Sequence, residues 1–156
     1  MILYRISSPE YAKKLDGKGA EKYGGRWNTP GTPAVYAASD IALSFGEKLV
    51  HLDPEDMPDD LMLAEIYLAV HPVVPSGLPK HWDQLNPPMS VARWGDGQLA
   101  NHVAIEVPSV VILGGRNIII SPRHKNFKEE NVRILQVKPF PVDERIKKLF
   151  GKSKLR

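Results

Sequence analysis

The amino-acid sequence predicts an α+β domain with a mostly antiparallel sheet system. Its 156 residues suit one domain with one hydrophobic core. Two helical patterns come early and a run of strand patterns follows, without the regular strand–helix alternation of a parallel sheet. No internal repeat, low-complexity tract or second domain is evident, so residues 1–150 are expected to form the domain and 151–156 a basic C-terminal tail.

The elements follow in order. "ILYRI" (2–6) alternates and carries β-branched residues, which predicts a first strand. "SPEYAKKL" (8–15) opens with Ser and then Pro in a first-turn position, a short helix. "DGKGAEKYGG" (16–25), with four glycines in ten residues, reads as loop. "AVYAA" (34–38) is a short strand, and Ser39 is placed to cap the helix "DIALSFGEKLVHL" (40–52). On that helix Ile41, Phe45, Leu49 and Leu52 share a stripe expected to face the core, while Leu43, Glu47, Val50 and His51 lie on another flank. After the acidic run 53–60, "LMLAEIYLAV" (61–70) is long enough for a central strand, and the Pro-rich "HPVVPSGLPKHWDQLNPP" (71–88) reads as a surface connection. Four more strands are expected at "VAIEV" (103–107), "SVVIL" (109–113), "NIIIS" (117–121) and "VRILQV" (132–137).

Composition removes several function classes. Hydrophobic residues make up 42% and charged residues 25%, too apolar for a disordered chain. No apolar run approaches the ~20 residues of a membrane helix, and "MILYRISS" lacks the basic and apolar regions of a secretory signal, so no membrane partner is expected. The absence of cysteine excludes a disulfide scaffold and thiolate chemistry and fits a cytoplasmic location. Net charge is +3, but the excess sits in "DERIKKLFGKSKLR" (143–156) and the rest is near neutral, which argues against direct nucleic-acid binding. "GDGQLA" (95–100) matches a dinucleotide turn but lacks the long helix such a turn needs before the next strand. The five histidines include no pair at i, i+3 or i, i+4, so no metal is expected.

What remains is an ordered constellation: Arg5 in "YRIS", Arg26 in "GGRWN", Tyr36 in "VYAA", Glu47 with His51 one turn on, "WGD", Ser109 in "VPSV", and the segment from Asn117 to Phe127. In this order and spacing the chain resembles the RES domain family, over about residues 3–127. The resemblance implies a fold of split, mostly antiparallel β-sheets with flanking helices, similar to the diphtheria-toxin-like ADP-ribosyltransferases. It implies a toxin of a toxin–antitoxin pair that consumes NAD by cleaving the nicotinamide–ribose bond, as a glycohydrolase or a phosphorylase. A protein ADP-ribosyltransferase on the same scaffold is the alternative, and a catalytically inactive nucleotide-binding module is the alternative of another class. The partner it implies is an Xre-type antitoxin, through which any DNA contact would be made.

The residue types fit those roles. A planar guanidinium suits the pyrophosphate of NAD, with Arg26 the first candidate and Arg5 the second. Tyr36 is assigned to the nicotinamide end, where a π-face meets a cationic ring. Glu47 is the expected catalytic carboxylate, stabilising the positive charge that grows on the ribose as the bond breaks. His51 is expected to hydrogen-bond Glu47 or a substrate oxygen. Ser109 has no neighbouring base and is assigned to binding instead of covalent catalysis, as is Asn117. Two departures stand out. Gly46 costs its helix ~1 kcal/mol against alanine, so a ligand or neighbouring strand is expected to need the space, and Ser121 replaces an asparagine of the family pattern.

Overall fold

The computed structural model describes residues 1–53 and 57–151, with backbone alone for the last two. Part of the acidic run (54–56) and the tail beyond residue 151 therefore lie outside the described residues. The elements are β1 (Ile2–Ser7), α1 (Pro9–Ala12), α2 (Lys18–Tyr23), β2 (Val35–Ala38), α3 (Ile41–Leu49), β3 (Met62–Leu68), α4 (Met89–Asn101), β4 (Ala104–Pro108), β5 (Arg116–Ile120), β6 (Val132–Pro139) and α5 (Glu144–Gly151).

The six strands form one antiparallel sheet in the order β4-β5-β2-β1-β3-β6. It is nearly two sheets. β1 and β3 pair over six positions and β2 and β5 over four, whereas β1 meets β2 only at Tyr4↔Ala38. Beyond that pair the strands part, and the buried Ile6 N–H donates to the Ser44 hydroxyl of α3 at 3.0 Å. A helix thus wedges the split, and a serine completes the backbone bonding that a strand would otherwise supply.

Alternation along the strands gives both faces a buried layer. On one face Leu3, Val35, Ala37, Ile66, Ile118 and Ile120 make a core that spans both halves of the sheet. On the other, each half has its own cluster. Trp27, Val91, Leu99, Ile105, Val107 and Ile119 pack beneath α4, and Ile6, Leu61, Leu63 and Val142 pack with Phe45 and Leu52. The seam between these two clusters runs along the parting of β1 and β2.

Several expectations are corrected. "SVVIL" is not a strand: after Pro108 the chain forms a loop, because the Ser109 hydroxyl accepts the N–H groups of Val111 (3.0 Å) and Ile112 (2.9 Å) and curls the backbone. The glycine-rich 16–25 stretch contains α2, entered at Gly17 with φ 68° in the left-handed region. Asp40, not Ser39, caps α3, its carboxylate accepting from Leu43 N at 2.8 Å. Leu43 and Ser44 are the buried residues of α3 and Ile41 is exposed, since the helix packs on strands and on the 109–115 loop at once. The 13-residue α4 was not expected. Two glycines weaken its propensity, and it is packing against the Trp27 cluster that forms it.

Candidate active site

The loop 24–33 is fixed by its own polar side chains. Asn28 Nδ2 donates to the carbonyls of Ala20 and Thr32, each at 2.8 Å, and its Oδ1 accepts the Tyr36 hydroxyl at 2.7 Å. The same hydroxyl accepts the Trp27 N–H at 3.1 Å. Burial pushes the Tyr36 phenol well above its ordinary value, so it stays a donor. A Cβ on Gly25 would lie 2.6 Å from that hydroxyl, which is why the loop needs glycine there.

From above, α4 clamps the loop. Asp96 accepts Thr29 N (2.9 Å) and Thr29 Oγ1 (2.6 Å), and Gly95 lets the helix backbone ride against the Trp27 carbonyl. Trp27 is 2% exposed, with its ring stacked on Trp82 (centroids 6.1 Å apart, 26° between planes) and tilted against Trp94 at 5.5 Å. The "WGD" motif therefore serves the "GGRWN" loop, a link of some 67 residues that neither stretch announces. Arg26, carried by this loop, uses Nη1 to hold the carbonyls of Trp82 and Gln84, the latter at 2.8 Å.

Glu47 lies in the last turn of α3. Its Oε1 accepts two bonds, from Ser109 Oγ at 2.6 Å and from Asn117 Nδ2 at 2.5 Å. Ser109 is 8% exposed and its hydroxyl is fully engaged, donating to Glu47 and accepting Val111 and Ile112. It holds the carboxylate and the loop in one register and has no lone pair left for nucleophilic attack. The space at Gly46 is taken by Ile112, whose side-chain carbons would be 3.3 Å from an added Cβ. The close neighbour at that glycine is a loop and not a strand.

Asn117 pairs with Ala38 and Ile119 with Tyr36, so Tyr36 and Asn117 occupy one face of β2 and β5. An open cleft of about 450 Å³ begins at Ser109 and runs between Val110, Val111 and Leu113 on one wall and Trp82 and Asp83 on the other. The fold thus gathers Glu47, Ser109 and Asn117 by direct hydrogen bonds, and Arg26 holds the turn that forms the far wall.

Two predicted residues stand apart. His51 is exposed beyond the end of α3, and among the described residues the bonds to Glu47 come from Ser109 and Asn117 instead of its imidazole. Arg5 shares the Leu3 face of β1, opposite Tyr36, and donates to the Lys14 carbonyl at 2.9 Å. Burial lowers its pKa, with Asp16 acting the other way, and its charge adds to the burial that lowers Lys48. Trp82 and Asp83 were missed as site residues, because a Pro-rich connection gives no periodic signal by which to place them, and Asp96 was noted only as part of "WGD", with no role, because its helix was not recognised.

The chain is similar to several known proteins. The RES domain family model matches residues 2–143. The chain is 32% identical over 153 residues to "Toxin Res" of Yersinia enterocolitica, covering 94% of this chain and 100% of that protein. It is 34% identical over 155 residues to "Toxin Res" of Pseudomonas putida, covering 94% and 99%. It is also 32% identical over 146 residues to "Prs ADP-ribosylating toxin" of a Sphingobium species, covering 86% and 88%. Among solved structures, the M. tuberculosis MbcT–MbcA toxin–antitoxin complex contains a chain of the same fold, with a TM-score of 0.69 at 19% identity, covering 97% of this chain and 89% of that one.

Proposed function

The chain belongs to the RES domain family, and on that premise we propose that it is the toxin of a toxin–antitoxin pair and consumes NAD by cleaving the nicotinamide–ribose bond. One observation carries the reading: Glu47 is held at Oε1 by Asn117 and by Ser109, which itself lines a cleft, and this leaves Oε2 to meet a substrate. The bond from ribose C1′ to the pyridinium nitrogen breaks, and its electron pair neutralises the ring, which leaves as nicotinamide. The oxocarbenium-like ribose is stabilised by the Glu47 carboxylate. An oxygen of water or of inorganic phosphate then bonds to C1′, and the proton it loses passes to solvent.

Arg26 offers its remaining N–H groups to the pyrophosphate, and Tyr36 lies on the sheet floor at the nicotinamide end. Arg5, on the opposite face of the sheet from Tyr36, and His51, exposed beyond the end of α3, take no part in holding the substrate in this reading. The partner is an Xre-type antitoxin in the cytoplasm, a reading supported by the relatives called toxins and by the toxin–antitoxin complex that shares the fold. No helix among the described residues is long and apolar enough to cross a membrane.

The test is to incubate the purified protein with NAD, with and without phosphate, and to identify products by mass. Nicotinamide release that disappears in Glu47→Gln is the expected result; undiminished release in that variant would end the proposal. A second reading, transfer of ADP-ribose to a protein, is favoured by the Sphingobium relative. It predicts that label from NAD becomes covalently attached to a protein target.

A further inference from the structure

The turn at 80–83 is more elaborately built than a surface connection requires. His81 has φ 63°, the single non-glycine residue at positive φ among the described residues, a conformation that persists only where surroundings enforce it. Gln84 braces it twice, through its backbone N–H to the His81 carbonyl at 3.3 Å and through Nε2 to His81 Nδ1 at 3.1 Å. Arg26 grips the carbonyls on either side of Asp83, and the Trp82 ring is stacked on Trp27. The effect is to present an indole and a carboxylate to the cleft wall opposite Val110, Val111 and Leu113. Asp83 itself has no hydrogen-bond or ion-pair partner among the described residues.

We propose that Trp82 and Asp83 form the adenosine subsite of the substrate, Trp82 stacking the adenine and Asp83 accepting from the ribose hydroxyls. The proposal rests on the NAD-consuming reading above and deepens it. With the reacting ribose at Glu47 and the nicotinamide on the sheet floor by Tyr36, the adenosine half of the dinucleotide must leave along the cleft. It passes Arg26, which binds the pyrophosphate, and reaches the turn that Arg26 itself holds. An aromatic face opposite aliphatic side chains suits a flat base whatever its edge pattern. A carboxylate beside the ribose accepts a 2′-hydroxyl and repels a 2′-phosphate, which is how an acidic residue favours NAD over NADP. The substrate class is therefore the unphosphorylated dinucleotide.

The experiment compares NAD, NADP and nicotinamide mononucleotide as substrates of the full chain. Trp82→Ala is expected to raise KM for NAD about tenfold more than it raises KM for the mononucleotide, which has no adenosine. Asp83→Asn, an exposed substitution, is expected to narrow the preference for NAD over NADP about tenfold, without effect on the mononucleotide. Because Trp82 also packs on Trp27, a thermal melt of each variant accompanies the kinetics, and Trp82→Phe is expected to retain most of the NAD affinity. Equal losses on NAD and on the mononucleotide would overturn the assignment, as would an unaltered NADP ratio in Asp83→Asn. Calorimetry with ADP-ribose separates the two readings. If the wild type cleaves nothing yet binds ADP-ribose and loses it in Trp82→Ala, the activity fails and the subsite stands.

Discussion

Replacing Gly95 with alanine should unseat the loop that carries Arg26. The added Cβ would lie 2.0 Å from the Trp27 carbonyl oxygen, 2.6 Å from its carbon and 2.9 Å from its Cα. All three are backbone atoms, so no side-chain rotation relieves the clash, and α4 must back away from the loop. That movement takes Asp96 from Thr29 and disturbs the packing of Trp27 against Trp82 and Trp94. Overpacking costs ~1–3 kcal/mol and a loosened charged hydrogen bond ~1.5–3 kcal/mol, against a helix-propensity gain of ~1 kcal/mol. A net loss of ~1.5–5 kcal/mol follows, or ~3–20 °C in Tm for a chain of this size.

Gly97 is the internal control. It lies two residues on in the same helix, is exposed, and has nothing within 4 Å of an added Cβ. Gly97→Ala should show only the propensity gain, up to ~1 kcal/mol or ~2–4 °C. Thermal and urea denaturation of the two variants is the assay. The two substitutions are expected to move Tm in opposite directions. If Gly95→Ala melts with or above the wild type, the docking of α4 on Trp27 is wrong.

Two further outcomes follow from the site. Ser109→Ala removes one of the two donors to Glu47 and strands two backbone N–H groups, so stability should fall by ~1–3 kcal/mol and NAD turnover by about 10²-fold. Ser109→Thr keeps the hydroxyl and should recover much of both; a threonine variant no better than alanine would show that the hydroxyl is not what matters. Tyr36 is protonated in the fold with a raised pKa, so its contribution is complete below the ordinary tyrosine value of about 10 and is lost as pH rises above it. Denaturation across pH 8–11 should show a shallower alkaline decline in Tyr36→Phe than in the wild type, and identical slopes would remove the phenol from the account.

The sequence by itself determined where the six strands and the helix of Glu47 lie, because such elements write their periods locally. "ILYRI", "VYAA" and "LMLAEIYLAV" fall where β1, β2 and β3 lie, and Glu47 is on the helix that its spacing predicts. It also named Arg5, Arg26, Tyr36, Glu47, His51, Ser109 and Asn117 as one site through a family resemblance; the fold joins Glu47, Ser109 and Asn117 by hydrogen bonds and sets Arg5 and His51 apart. Its failures have a common cause. Gly95 and Gly97 disguise α4, since propensity is a local term and the seat of that helix is a tryptophan 67 or so residues away. "SVVIL" has a strand's composition, yet one serine hydroxyl diverts its backbone into a loop.

Only the tertiary structure decided that Arg26 grips a turn from the Pro-rich connection, that this turn walls the cleft, and that β1 and β2 part around α3. These are contacts between segments far apart in the chain. Their free energy comes from burial and from polar groups satisfied across that distance, and no window of neighbouring residues records it.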